Sequence, residues 1–261
     1  MNNLHTWVFL RGLARESRHW GNFVSTFQHV LPSQVIALDL PGNGHLNHQR
    51  SPLSVQAMVM HCRAELALRG LKPPYQVLAI SLGGMVAVAW SQTYPEEIAA
   101  QVLINTSMRP FSPIYQRLRP QNYLRLLKLL LVRASPEAWE RTILAITSNR
   151  PMADVLPVWL ALRQTHAVSN ANMLRQLFAA ARFSASQQAP KAATLLLASQ
   201  QDRLVDVACS QNLALRWASA LRLHPDAGHD LTLDDGPWVA KQVGDWLVSL
   251  ASTQLTHTHT L

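Results

Sequence analysis

Ser81, Asp202 and His229 are the residues whose types and spacing could together carry out nucleophilic chemistry. Ser81 closes the apolar run VLAI (77–80) and is followed by Leu82, Gly83 and Gly84. A serine hydroxyl is a weak nucleophile until a base takes its proton, and that base needs an acid to hold its tautomer. Asp202 follows the run TLLLAS (194–199), within SQQDRLVD, and His229 follows LRLH (221–224), within PDAGHDL. All three stand where an apolar run gives way to a loop. Such a set could attack an acyl carbon through Ser81, move the proton through His229 and support the imidazolium with Asp202.

The oxyanion of that reaction needs two N–H donors. Leu82 is the first candidate, because it heads a helix whose first amides lack partners. Leu13 is the second, because Gly12 in FLRGLARE lets the loop turn an amide toward the site. Gly83 allows strand and helix backbones to approach closely. Ala79 stands where G-x-S-x-G would place its first glycine, so the pentapeptide alone also suits an ordinary strand–helix turn. Asp206 is a rival acid, although its place suits the start of the next helix. Asp226 and Asp230 are close to His229 in sequence, and Asn105 leaves no acid at the end of QVLIN (101–105). The chemistry requires no metal and no cofactor.

These residues need a sheet to bring them together. Strands are expected over 5–10, 34–40, 75–80, 101–105, 194–199 and 221–224, with helices over 18–30, from Ser54, 84–93, 206–218 and 236–250. Continuous apolar strands alternating with amphipathic helices imply a parallel sheet covered on both faces, an α/β fold. Residues 109–186 break that rhythm. They are rich in leucine, arginine and proline, and read as an inserted helical cap on a core formed by 1–108 and 187–250. The last residues, 251–261, read as a frayed tail.

With 48% apolar and 15% charged residues in a chain of 261, a globular core is expected rather than disorder. Cys62 and Cys209 follow no metal or disulfide spacing. MNNLHTWVFL has no basic region or cleavage site, and YLRLLKLLLVR is broken by Arg125 and Lys128, so a cytoplasmic location is expected. The net charge of +8 lies entirely within 109–185, where 11 basic residues face Glu137, Glu140 and Asp154. This excess either solvates the cap or attracts anionic partners through a field that includes Arg125 and Lys128. Leucines interleaved with cations also allow contact with a membrane surface. No nucleic-acid motif accompanies the charge.

FLRGLARESRHW (9–20), ALDLPGNG (37–44), AISLGGM (79–85), LASQQDRLV (197–205) and DAGHDLTLDD (226–235) resemble stretches of the cofactor-free serine α/β-hydrolase family. The resemblance covers about 5–250 and implies that family's fold, with a Ser-Asp-His triad and a cap over the nucleophile. Arg11 stands where the family usually has a histidine before its glycine, which implies a cation near the pocket mouth. Pattern and charge are closest to the pimeloyl-ACP methyl ester carboxylesterase group, in which a basic cap docks an acidic acyl carrier protein. The resemblance implies hydrolysis of an ester or thioester, and the basic cap suits acyl carrier protein or CoA as an anionic partner. Acyl transfer, haloperoxidase-like chemistry and binding without turnover use the same framework.

Overall fold

The computed structural model describes residues 6–131 and 134–258. Within them the apolar runs form one six-stranded parallel sheet, ordered β2-β1-β3-β4-β5-β6. The strands are β1 (Thr6–Leu10), β2 (Gln34–Leu38), β3 (Tyr75–Ile80), β4 (Ile98–Ile104), β5 (Ala193–Ser199) and β6 (Ala220–His224). Because all run in one direction, the loops that carry Ser81, Asp202 and His229 leave the sheet at the same edge.

Alternation along each strand divides the core between the two faces. Trp7 and Phe9 of β1 pack with Phe23 and Phe27 of α1 (Phe23–Val30), while Val8 and Leu10 point the other way. That second face is covered by α2 (Val55–Leu68) and α3 (Leu82–Thr93). Each such aromatic or aliphatic side chain contributes about 1.5–3 kcal/mol when fully buried. Both faces are therefore dry, which explains why the strands read as continuous apolar runs.

The segment between β4 and β5 is helical, as expected. It holds α4 (Ile114–Arg117), α5 (Tyr123–Leu131), α6 (Pro136–Thr147), α7 (Met152–Thr165) and α8 (Asn170–Arg182). Its two stems run side by side through a bridge between Arg109 and Ser184, and the Ala185 amide donates to the Arg109 carbonyl at 2.8 Å. The chain then continues through α9 (Ala208–Trp217), α10 (Leu231–Asp234) and α11 (Gly236–Thr258).

Several boundaries differ from expectation by a few residues, β4 starting at Ile98 rather than 101, and two differences are larger. The helix expected over 18–30 is split, because Gly21 takes φ 50° and separates a 3-10 turn at Ser17–Trp20 from α1. The expected frayed tail continues α11 as far as Thr258, and residues 259–261 lie outside the described ones. No glycine or proline follows Gly244 up to that point, so nothing in the chain stops the helix.

Candidate active site

Ser81 sits on the turn between β3 and α3 with φ 55° and ψ −115°, a conformation that costs a non-glycine residue about 1–3 kcal/mol. The turn is held from several sides. The Ser81 amide donates to the Ile104 carbonyl at 3.0 Å, and its carbonyl accepts from the Gly84 amide at 3.0 Å and the Thr106 hydroxyl at 2.9 Å. Gly83 lets α3 approach β1. A Cβ there would lie 2.4 Å from the Leu10 carbonyl oxygen and 2.8 Å from that of Arg11, both backbone atoms that cannot swing aside. Ala79 is fully buried in β3, so its methyl replaces the expected glycine within the core.

Gly83→Ala is accordingly expected to push the end of β1, with the Gly12–Leu13 loop, away from Ser81. Overpacking of this kind costs about 1–3 kcal/mol. Urea denaturation should show that loss together with reduced ester turnover. A variant as stable and active as the wild type would mean that the close approach is unimportant.

Asp202 and His229 are both buried and directly bonded, with His229 Nδ1 2.7 Å from Asp202 Oδ2. A carboxylate can only accept, so Nδ1 carries the hydrogen and Nε2 is the basic nitrogen. The other carboxylate oxygen, Oδ1, accepts the amides of Leu204 at 2.7 Å and Val205 at 2.9 Å. Burial is the largest single influence on the imidazole and lowers its pKa. The charge and hydrogen bond of Asp202, with the charge of Asp230, outweigh it and hold His229 above the ordinary histidine value, against a lowering by Arg11. Asp206, the rival acid, instead accepts the Ala208 amide at the start of α9 and pairs with Arg119.

Ser81 and His229 line one cavity of about 230 Å³, together with residues of the helical segment between β4 and β5 that include Leu126, Trp139, Ile143 and Leu177. Leu13 and Leu82 line it too. No described residue accepts a hydrogen bond from either amide, whereas the adjacent Ala14 amide is occupied by Gln176 Oε1 at 2.8 Å. Gln176 lies on α8, fully buried, and its amide nitrogen also donates to Asn43 and Ser51. One cap side chain thus ties the Gly12–Ala14 loop to the loop after β2. Asp39 secures the latter, accepting the amides of Ser17 and His45.

The contacts of three buried polar residues at the site escape sequence reading. Gln176 is one. Asn105, left-handed at φ 45°, donates to the His229 carbonyl at 2.8 Å and accepts the Ser199 amide, so it joins β4, β5 and the histidine loop. Only its place at a strand end was a signal. Asp230 is the third, and it changes the role of Arg11. Rather than standing free at the pocket mouth, Arg11 is 3% exposed, bonds Asp230 through both terminal nitrogens and lies over the Trp20 ring. Arg125 and Lys128 are exposed on α5, outside the cavity lining, beside exposed Leu124 and Leu127.

The six-stranded parallel sheet covered by helices on both faces defines the class, an α/β-hydrolase fold. Residues 7–242 match the alpha/beta hydrolase family, and the chain belongs to it. Human monoacylglycerol lipase ABHD6 is 24% identical over 263 residues, covering 94% of this chain and 76% of that protein. Among solved structures, lip1 from Acinetobacter baumannii AYE superposes with a TM-score of 0.77 at 23% identity, covering 97% of this chain and 86% of that one. The enol-lactonase from Burkholderia xenovorans LB400 gives 0.76 at 18% identity, covering 95% and 92%. Among the described residues, no helix is long and apolar enough to cross a membrane.

Proposed function

We propose that this protein cleaves a carboxylic ester or thioester through an acyl-enzyme formed on Ser81. The observation that carries this reading is the 2.7 Å His229–Asp202 pair whose imidazole lines the same cavity as the strained serine. Ser81 attacks the acyl carbon while His229 Nε2 takes its proton and passes it to the leaving group. Asp202 keeps Nδ1 protonated and balances the imidazolium. The amides of Leu82 and Leu13 receive the oxyanion, at the head of α3 where the helix dipole favours negative charge. Water activated by His229 then releases the acid. Lipase and enol-lactonase relatives support ester cleavage, and the apolar lining suits an acyl chain.

A fluorophosphonate probe is expected to label Ser81, and Ser81→Ala should lose both labelling and at least about 10³-fold in kcat on p-nitrophenyl esters. Turnover that survives the substitution would remove the proposal. A second reading concerns the leaving group. Arg125 and Lys128 on α5 form no ion pair among the described residues, so the cap offers free cations to an acidic acyl carrier protein or CoA. Acyl transfer by the same triad would instead show product that depends on an added alcohol or amine.

A further inference from the structure

Among the described residues, three arginines line the cavity: Arg11, Arg15 and Arg117. The first two are paired with carboxylates. Arg11 is held by Asp230, and Arg15 donates to Glu140 at 2.8 Å while lying over the Trp159 ring. Arg117, at the end of α4, is only 9% exposed and forms no ion pair with any described carboxylate. Its Nη2 donates to the Ala180 carbonyl of α8 at 2.7 Å, and its Nε is buried with no partner.

The neighbours do not balance its charge. Ile114, Leu118, Ala180, Ala181, Leu204 and Val205 supply the adjacent lining. Cys209 lies close by, but burial pushes its thiol up to about 11, so it is neutral at physiological pH. Burial lowers the Arg117 pKa, and the neighbouring cation Arg109 lowers it further. A guanidinium withdrawn from water without a counter-charge costs several kcal/mol, so an anion arriving in the cavity would recover that cost.

We propose that Arg117 binds a carboxylate carried by the substrate at a distance from the scissile ester, so that the preferred substrates are monoesters of diacids or similar anion-tailed esters. This inference rests on the reading of Ser81 as nucleophile and names the substrate class of that same site. A carboxylate suits it better than a phosphate dianion, because one partly committed guanidinium among apolar walls offers too few donors for the latter. Leu204 and Val205 join the two ends, since their amides hold Asp202 while both residues line the cavity that Arg117 also lines.

The test uses full-length Ser81→Ala protein and calorimetry with two matched series, the monomethyl and dimethyl esters of diacids from succinate to dodecanedioate. At one or more chain lengths the monoacid should bind about 10- to 150-fold tighter than its diester, the range for a hydrogen bond to a charged group. Arg117→Met should bring that ratio to within twofold of unity, and Arg117→Lys should restore part of it. Arg117→Gln, which keeps a donor for the Ala180 carbonyl, serves if the methionine variant does not fold. A ratio near unity at every length overturns the proposal, as does a preference that survives both neutral substitutions. Consumption of ester by the Ser81→Ala protein would count against the nucleophile instead, while the binding ratio still decides the role of Arg117.

Discussion

Replacing Asp202 with asparagine is expected to lower kcat by about 10⁴-fold while leaving KM nearly unchanged. The structure explains why so small a change matters. Asp202 Oδ1 accepts two amides, from Leu204 and Val205, so an asparagine must keep its carbonyl oxygen there. Its NH2 group then faces His229 and can only donate. Nδ1 must become the acceptor, the ring hydrogen moves to Nε2, and the nitrogen meant to take the Ser81 proton is already occupied.

The pH profile separates this from simple unfolding. The proposed base works when neutral, so kcat/KM should rise with pH through the pKa of His229, which is held above the ordinary histidine value. Asp202 raises that pKa, so Asp202→Asn should move the residual acidic limb to lower pH. Stopped assays on a p-nitrophenyl ester would check both effects. A loss below tenfold with an unmoved limb would mean that another residue supports the imidazole.

Much of the scaffold was legible because its signals are local. A strand buried on both faces must be apolar throughout, and each candidate triad residue follows such a run, so order and position placed Ser81, Asp202 and His229 at the same edge of the sheet. Gly83 was legible for the same reason, since a close approach of two backbones leaves room for no side chain. The polar frame around the site was not. Arg11 and Asp230 are separated by 219 positions, and the Ala14 amide and Gln176 by 162. Neither pairing leaves a periodic trace in sequence. An arginine before a glycine reads as an exposed cation until the fold shows a carboxylate waiting for it. Arg117 escaped notice for the opposite reason: among many cap arginines, only burial distinguishes it.

The Arg11–Asp230 pair carries the second large effect, this time on stability. Removing one partner of a buried ion pair costs about 3–5 kcal/mol, because the other is left charged and desolvated. Arg11→Met is expected to do this at neutral pH. Burial is the largest influence on Asp230 and raises its pKa, but the charge and hydrogen bonds of Arg11 outweigh it and hold the carboxyl below its ordinary value. In the wild type the pair therefore adds stability that is present above the unfolded carboxylate pKa and lost as pH falls through the lowered folded one. Without Arg11, burial dominates and the folded pKa lies above the unfolded one, so the penalty eases as pH falls and the group takes up a proton.

Urea denaturation of Arg11→Met should consequently show a large deficit at pH 7.5 that narrows toward pH 5. Arg11→Met/Asp230→Asn, with no charge left to strand, should recover part of it. Catalysis should respond with the opposite sign to Asp202→Asn. Arg11 lowers the His229 pKa and Asp230 raises it, so losing the arginine should move the acidic limb to higher pH. A deficit independent of pH, with an unmoved limb, would show that Arg11 acts there by packing against Trp20 alone.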